Sequence, residues 1–269
     1  MRRDFFFDGE FLFISGVCLG CLQKERLEAL VVVFVLFVIG LVFGSFFTVV
    51  ATRVPNDESI ITPRSHCRHC LHTLRWNELI PLVSYVWQRG KCTQCKAIIS
   101  IRYPLIECTT AILFVLAFVL QQSLPHFMFL LLLFSLCILV TVTDLYKMMI
   151  PNQILLLFFC YFLLHRSFLD PFPFFGDPFI LAFLVFVGLW VIMVLSNGGI
   201  GGGDVKLFTV LAIALGSTHF LFMFMLATLF GSIYGVLVIK KRKTPFPFAP
   251  WIALATLFTV SIQGLFLGY

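Results

Sequence analysis

Two aspartates and two cysteine pairs are the residues of this sequence best suited by type and spacing to do chemistry. Asp144 ends an apolar run over 126–143 and is followed by Leu145, Tyr146, Lys147 and, a little further on, Ile150, Pro151 and Asn152. Asp204 closes the run Gly198, Gly199, Ile200, Gly201, Gly202, Gly203 and opens another apolar stretch. Ionisable groups at the ends of apolar segments are costly to place there, which makes each a functional candidate. Two carboxylates brought close cannot both ionise easily, so one keeps a proton near neutral pH and the pair offers an acid and a base together. That is the chemistry of aspartyl proteolysis: one carboxylate takes a proton from water while the other donates to the scissile carbonyl oxygen, with no covalent intermediate. The plainer alternative is that each Asp caps a helix, which suits Asp204 in particular.

The glycines beside Asp204 (Gly199, Gly201, Gly202 and Gly203) let the backbone bend sharply and let an extended substrate approach closely. They do not form a nucleotide loop: Asp204 stands where a dinucleotide fingerprint needs Gly, and Lys206 is not followed by Ser or Thr. Lys147 and Lys206 lie near the aspartates along the chain, either tuning their protonation or anchoring the membrane face.

Cys67, Cys70, Cys92 and Cys95 form two CxxC pairs with 21 residues between them, close to the spacing of tetra-thiolate zinc sites. Two such knuckles complete a closed tetrahedron, which makes a structural zinc the natural reading. Two disulfides or a redox-active pair are the alternatives; a reducing compartment disfavours stable disulfides. His66, His69 and His72 stand nearby, but four thiolates already satisfy the ion. Cys18 and Cys21 make a lone CxxC, and Cys108, Cys137 and Cys160 read as small buried hydrophobes.

The elements that must position these groups are membrane helices. The chain has 269 residues, 60% hydrophobic and 12% charged, with mean hydropathy +1.03, whereas a soluble domain is about half apolar and about a quarter charged. A water-soluble globule is excluded, and with 34 Phe so is a disordered chain. Apolar runs fall at 29–52, 105–121, 126–143, 153–168, 178–196, 205–217, 219–239 and 250–267, each a candidate for a span of about 20 residues. The expected fold is an all-α polytopic membrane protein with about eight transmembrane helices and a small cytosolic zinc-binding insertion. Its expected divisions are an N-terminal segment 1–28 of unassigned role, a first span 29–54, the tetra-cysteine insertion 55–104, and a membrane domain 105–269.

The net charge of +6 is a topology signal rather than a mark of nucleic-acid binding. If the insertion is cytosolic, 14 of the 19 basic residues lie inside, including Lys147, Lys206 and the run 240–243, with Arg166 outside and four in the unassigned N-terminal segment. That orientation puts both aspartates at the cytosolic face.

These residues together resemble the type IV prepilin peptidases, membrane aspartyl proteases of the GxGD kind. The likeness runs from about residue 40 to 255: Gly44, Ser45 and Phe46 with Arg53, Val54 and Pro55; the two CxxC pairs flanking Trp76 and Pro81; Arg102, Tyr103, Pro104 and Glu107; Asp144 with Ile150, Pro151 and Asn152; the glycine run through Lys206; and Pro245, Phe246 and Pro250. The resemblance implies removal of short basic leader peptides from prepilins and pseudopilins at the cytosolic face of a bacterial inner membrane. It implies that Asp144 and Asp204 are the catalytic pair and that Cys67, Cys70, Cys92 and Cys95 bind zinc. Many members also methylate the new N-terminal amine from S-adenosylmethionine. Thr48, Leu71 and Ala249 depart from the family pattern, where Asn, Gly and Gly are common. Glu78 and Glu107 are candidate acidic partners for a cationic leader. The rival reading is a transporter or channel that uses Asp144 and Asp204 for cations or protons.

Overall fold

The computed structural model describes residues 19–121, 123–169, 177–196, 199–236 and 246–266. The expectations for 1–18, Gly198, the basic run 240–243 and Pro245 lie outside the described residues. Runs of Leu, Phe, Val and Ile of this length satisfy their backbone groups within lipid only as helices, and each of the expected apolar runs falls on one. The helices are α1 (Leu19–Arg53), α2 (Val83–Trp87), α3 (Arg102–Leu120), α4 (Leu124–Lys147), α5 (Asn152–Leu169), α6 (Asp177–Leu195), α7 (Gly202–Leu215), α8 (Ser217–Tyr234) and α9 (Ala249–Phe266). Short 3-10 turns lie at Val54–Asn56 and Trp76–Glu78. No strand occurs among the described residues, only the isolated bridges His66 to Thr73 and Lys91 to Ile98.

Among the described residues, five helical segments are long and apolar enough to cross a membrane: Arg26–Asn56, Arg102–Leu120, Leu124–Lys147, Pro178–Leu195 and Ser217–Tyr234. Helices α5, α7 and α9 stand at the three remaining expected places, and the described residues do not by themselves establish a count of eight spans. The reason is plainest for α7, whose 14 residues reach about 21 Å against a hydrocarbon core of about 30 Å.

The chain divides into two compact units. The first comprises the described residues up to Ser45 together with those of His66–Leu131. In it α1 and α3 touch at two glycines one helical turn apart. A Cβ on Gly40 would stand 2.5 Å from the Ala111 Cα, and one on Gly44 would stand 2.7 Å from the Glu107 Cα. Small residues at this spacing let membrane helices approach backbone to backbone. The insertion is fastened to the same helix, because the Leu82 N–H donates to the Glu107 carboxylate at 2.8 Å.

The second unit comprises the described residues of Phe46–Ser65 and Leu132–Gly268. Helix α7 packs against α5, α6 and α8, and α8 packs against α9. Val205, Leu207, Phe208, Val210 and Leu211 are all buried, so beyond the turn that carries Asp204 and the exposed Lys206 α7 is a largely apolar helix packed among its neighbours. At its far end Gly216, at φ +74, turns the chain into α8. A Cβ there would meet the Arg166 guanidinium at 2.8 Å.

Candidate active site and metal centre

Asp144 sits in the last turn of α4, only 7% exposed. Its Oδ2 accepts the N–H of Ala249, the first residue of α9, at 2.9 Å. The N–H of Phe248 is a second donor to the same carboxylate. A carboxylate at a helix N-terminus receiving unpaired peptide donors is held in one orientation. Helix α4 closes just beyond it, where Met148 takes φ +53 and donates its N–H to the Asp144 carbonyl at 2.8 Å.

Asp204 lies in the first turn of α7, half-buried. Gly201 is the N-cap, extended at φ −66 and ψ 134, and its carbonyl accepts the Asp204 N–H at 3.0 Å. The Asp204 carboxylate folds back over that glycine: a Cβ on Gly201 would be 3.1 Å from Oδ2. Gly203 faces Ile150, whose Cβ would be 3.2 Å from an added Cβ. Gly199 donates its N–H to the Ser196 hydroxyl at 3.1 Å, and Gly202 faces the Met193 sulfur at ordinary contact distance.

The Lys206 ammonium donates to the Asn152 side-chain carbonyl at 2.7 Å. It therefore ties the start of α5 to the start of α7. These contacts gather the end of α4 and the starts of α5, α7 and α9 at one end of the second unit. There Asp144 and Asp204 interact electrostatically across 60 residues of sequence.

Several participants carry no strong sequence signal. The peptide donors of Phe248 and Ala249 are backbone groups, betrayed only by Pro250 just inside the helix start. Gly231 of α8 is another: a Cβ there would lie 2.2 Å from the Phe248 ring, so the ring beside the Asp144 donors depends on a bare backbone. Glu78 and Glu107 are both occupied within the first unit. Glu78 accepts from the Arg75 N–H at 2.7 Å and from the Thr93 hydroxyl, and lies 3.4 Å from His72. Glu107 holds Leu82 and Ser45.

The sulfurs of Cys67, Cys70, Cys92 and Cys95 all lie within 4.8 Å of one another. Cys67 stands 3.8 Å from Cys95, and Cys70 stands 4.0 Å from Cys92. A tetrahedron of bonds of about 2.3 Å separates its sulfurs by about 3.8 Å, whereas a disulfide would bring them to about 2 Å. The four thiols are free, and their geometry fits a metal ion.

Each pair is built alike. The first cysteine donates its N–H to the carbonyl five residues on (His72 or Ala97, 2.9 Å), and the residue after the second cysteine (Leu71 or Lys96) takes φ +59. Peptide N–H groups of Cys70 and His69 pointing at its sulfur lower the Cys67 thiol to about 6. Cys95 receives the Ala97 N–H, which lowers it, but desolvation and the crowding sulfurs outweigh this and push it up to about 11. Four sulfurs this close need a cation to ionise together.

Residues 38–121 match the model of the bacterial peptidase A24 N-terminal domain, and residues 131–236 match that of the type IV leader peptidase family. The prepilin leader peptidase/N-methyltransferase of Bacillus subtilis is 39% identical over 231 residues, covering 83% of this chain and 91% of that protein. The protein of the same name from Aeromonas hydrophila is 34% identical over 253 residues, covering 81% and 87%. The type 4 prepilin-like proteins leader peptide-processing enzyme of Escherichia coli is 30% identical over 256 residues, covering 84% and 93%. No solved structure matches the chain. With its matched domains in this order and relatives aligned over most of their length, the chain belongs to the type IV leader peptidase family.

Proposed function

We propose that this protein is an inner-membrane aspartyl endopeptidase that removes the leader peptide of type IV prepilins and pseudopilins at the cytosolic face, with Asp144 and Asp204 as its catalytic pair. The observation that carries the reading is the interaction of these two carboxylates at one end of one helical unit. The peptide donors of α9 fix Asp144, and the Gly201 turn fixes Asp204. A pair sharing one proton activates water with its ionised member and protonates the scissile carbonyl with the other. Gly201 and Gly202 are exposed and leave room for an extended peptide beside Asp204. A helical substrate in lipid must unwind before its peptide bond is open to water, and a cut at the membrane face makes that unwinding cheaper.

The four cysteines hold zinc in this reading, as a closed structural site that keeps the insertion folded. Lys206 acts through Asn152 in positioning α7. The relatives' names pair leader removal with N-methylation, and methylation from S-adenosylmethionine is the second activity of the same reading. Co-expression with a prepilin and mass measurement of the product tests both. Loss of the leader mass reports the peptidase, and one added methyl on the new N-terminus reports the transferase. An unprocessed prepilin beside well-expressed enzyme refutes the reading.

A further inference from the structure

The short helix α2 leaves its apolar face open. Val83, Val86 and Trp87 stand at the spacing that shares one side of a helix, and Val86 and Trp87 are 67% and 85% exposed. The Trp76–Glu78 turn packs against α2 and presents Trp76, 79% exposed, on the same part of the insertion. Arg75, Arg89 and Lys91 flank this patch and are exposed. From His66 to Arg102 the insertion has six basic residues and one acidic residue, and that one, Glu78, is engaged by His72, Thr93 and the Arg75 N–H.

The insertion is tied beside this face to the start of α3. Leu82, the residue before α2, is hydrogen-bonded to Glu107, which lies five residues into the spanning helix α3, or about 8 Å along it at 1.5 Å per residue. Apolar faces of helices lying in a membrane interface are buried to about 5–10 Å. An apolar, Trp-bearing and cationic surface tied to the start of a helix long and apolar enough to span a membrane matches a layer of anionic headgroups over acyl chains.

We propose that the Val83, Val86 and Trp87 face of α2, with Trp76 beside it, rests in the headgroup region of the surrounding bilayer and binds anionic phospholipid through Arg75, Arg89 and Lys91. The face then serves as a lipid anchor that holds the insertion down on the membrane, independently of the protease chemistry.

The test uses the full chain with Trp87 as its sole tryptophan (Trp76→Phe, Trp190→Phe, Trp251→Phe). The chain is placed in nanodiscs of phosphatidylcholine alone or with phosphatidylglycerol. The expected result is Trp87 emission at shorter wavelength, severalfold weaker quenching by iodide, and stronger quenching by a nitroxide near the headgroup than by one at the chain end. The effect is larger with phosphatidylglycerol and is diminished by Arg89→Gln with Lys91→Gln. Iodide quenching as in detergent, with no response to either nitroxide, overturns the proposal. Protection that arises only when a prepilin is added also overturns it and assigns the face to a protein partner. Hydrogen exchange on the unaltered chain gives a second reading free of substitutions. Amides 83–89 slow in anionic nanodiscs relative to detergent if the face is docked, and unchanged exchange contradicts docking.

Discussion

At the scale of single residues, the positions that do chemistry are chosen by type, and the positions that hold them are chosen by shape. Leu71 illustrates the second. It closes the first knuckle at φ +59, a conformation that costs a side-chain-bearing residue about 1–2 kcal/mol. Leu71→Gly is expected to stabilise the knuckle by about 1 kcal/mol, read as more chelator needed to strip the metal. An unchanged or lower threshold contradicts the strain assigned to this turn. The Glu78 carboxylate joins the two knuckles through His72 and Thr93, so Glu78→Ala is expected to lower metal retention by about 1–3 kcal/mol, measurable in the same titration. The aspartates and cysteines stand out in the sequence by type and spacing, and the structure brings each set together. The donors to Asp144 do not stand out, since a peptide N–H is the same at every residue and only folding aims it. The internal hydrogen bonds of Glu78 and Glu107 could not be read from the sequence, because an acidic letter does not say whether its carboxylate is already engaged.

At the scale of elements, two contacts decide whether the site is assembled. The Phe248 ring lies against Gly231 with no room for a methyl group. Gly231→Ala is therefore expected to cost about 1–3 kcal/mol and to lower processing by disturbing the peptide donors to Asp144. Gly188→Ala, where an added Cβ meets nothing within 4 Å, is expected to process normally. Equal behaviour of the two variants would refute the role given to Gly231. The Lys206 to Asn152 hydrogen bond makes a cycle possible: each single change to Ala is expected to slow cleavage, and the double change to be no worse than the more damaging single one. Additive losses would mean that Lys206 acts elsewhere. The hydropathy runs located the long helices because lipid leaves the backbone no other choice, whereas the short α2 of the insertion lies outside them. They misplaced the edges of α7, expected over 205–217 and found at Gly202–Leu215, since Gly202 and Gly203 join the first helical turn instead of a loop. The likeness of the two knuckles went unread for a related reason. Their shared features are hydrogen bonds and a positive φ at Leu71 and Lys96, residues with nothing chemical in common.

For the whole molecule, the proposed orientation follows from the distribution of basic residues. Lys147 and Lys206 belong to the end of the second unit that holds the aspartates, and Arg166 stands beside Gly216 at the other end of α7. Reporter fusions are expected to behave as cytosolic after Glu58 and as external after Thr218, and the reverse pattern would overturn the orientation. The bringing together of Asp144 and Asp204 is the central claim, and it rests on tertiary packing that no periodicity encodes. Its most direct test is the rate of prepilin cleavage, by mass spectrometry of the processed peptide, with the native enzyme and with Asp144→Asn and Asp204→Asn at matched expression and metal content. Each substitution alone is expected to lower the rate by about 10²–10⁴-fold or more while the protein stays folded in the membrane. Cleavage at the native rate by either variant would contradict the claim.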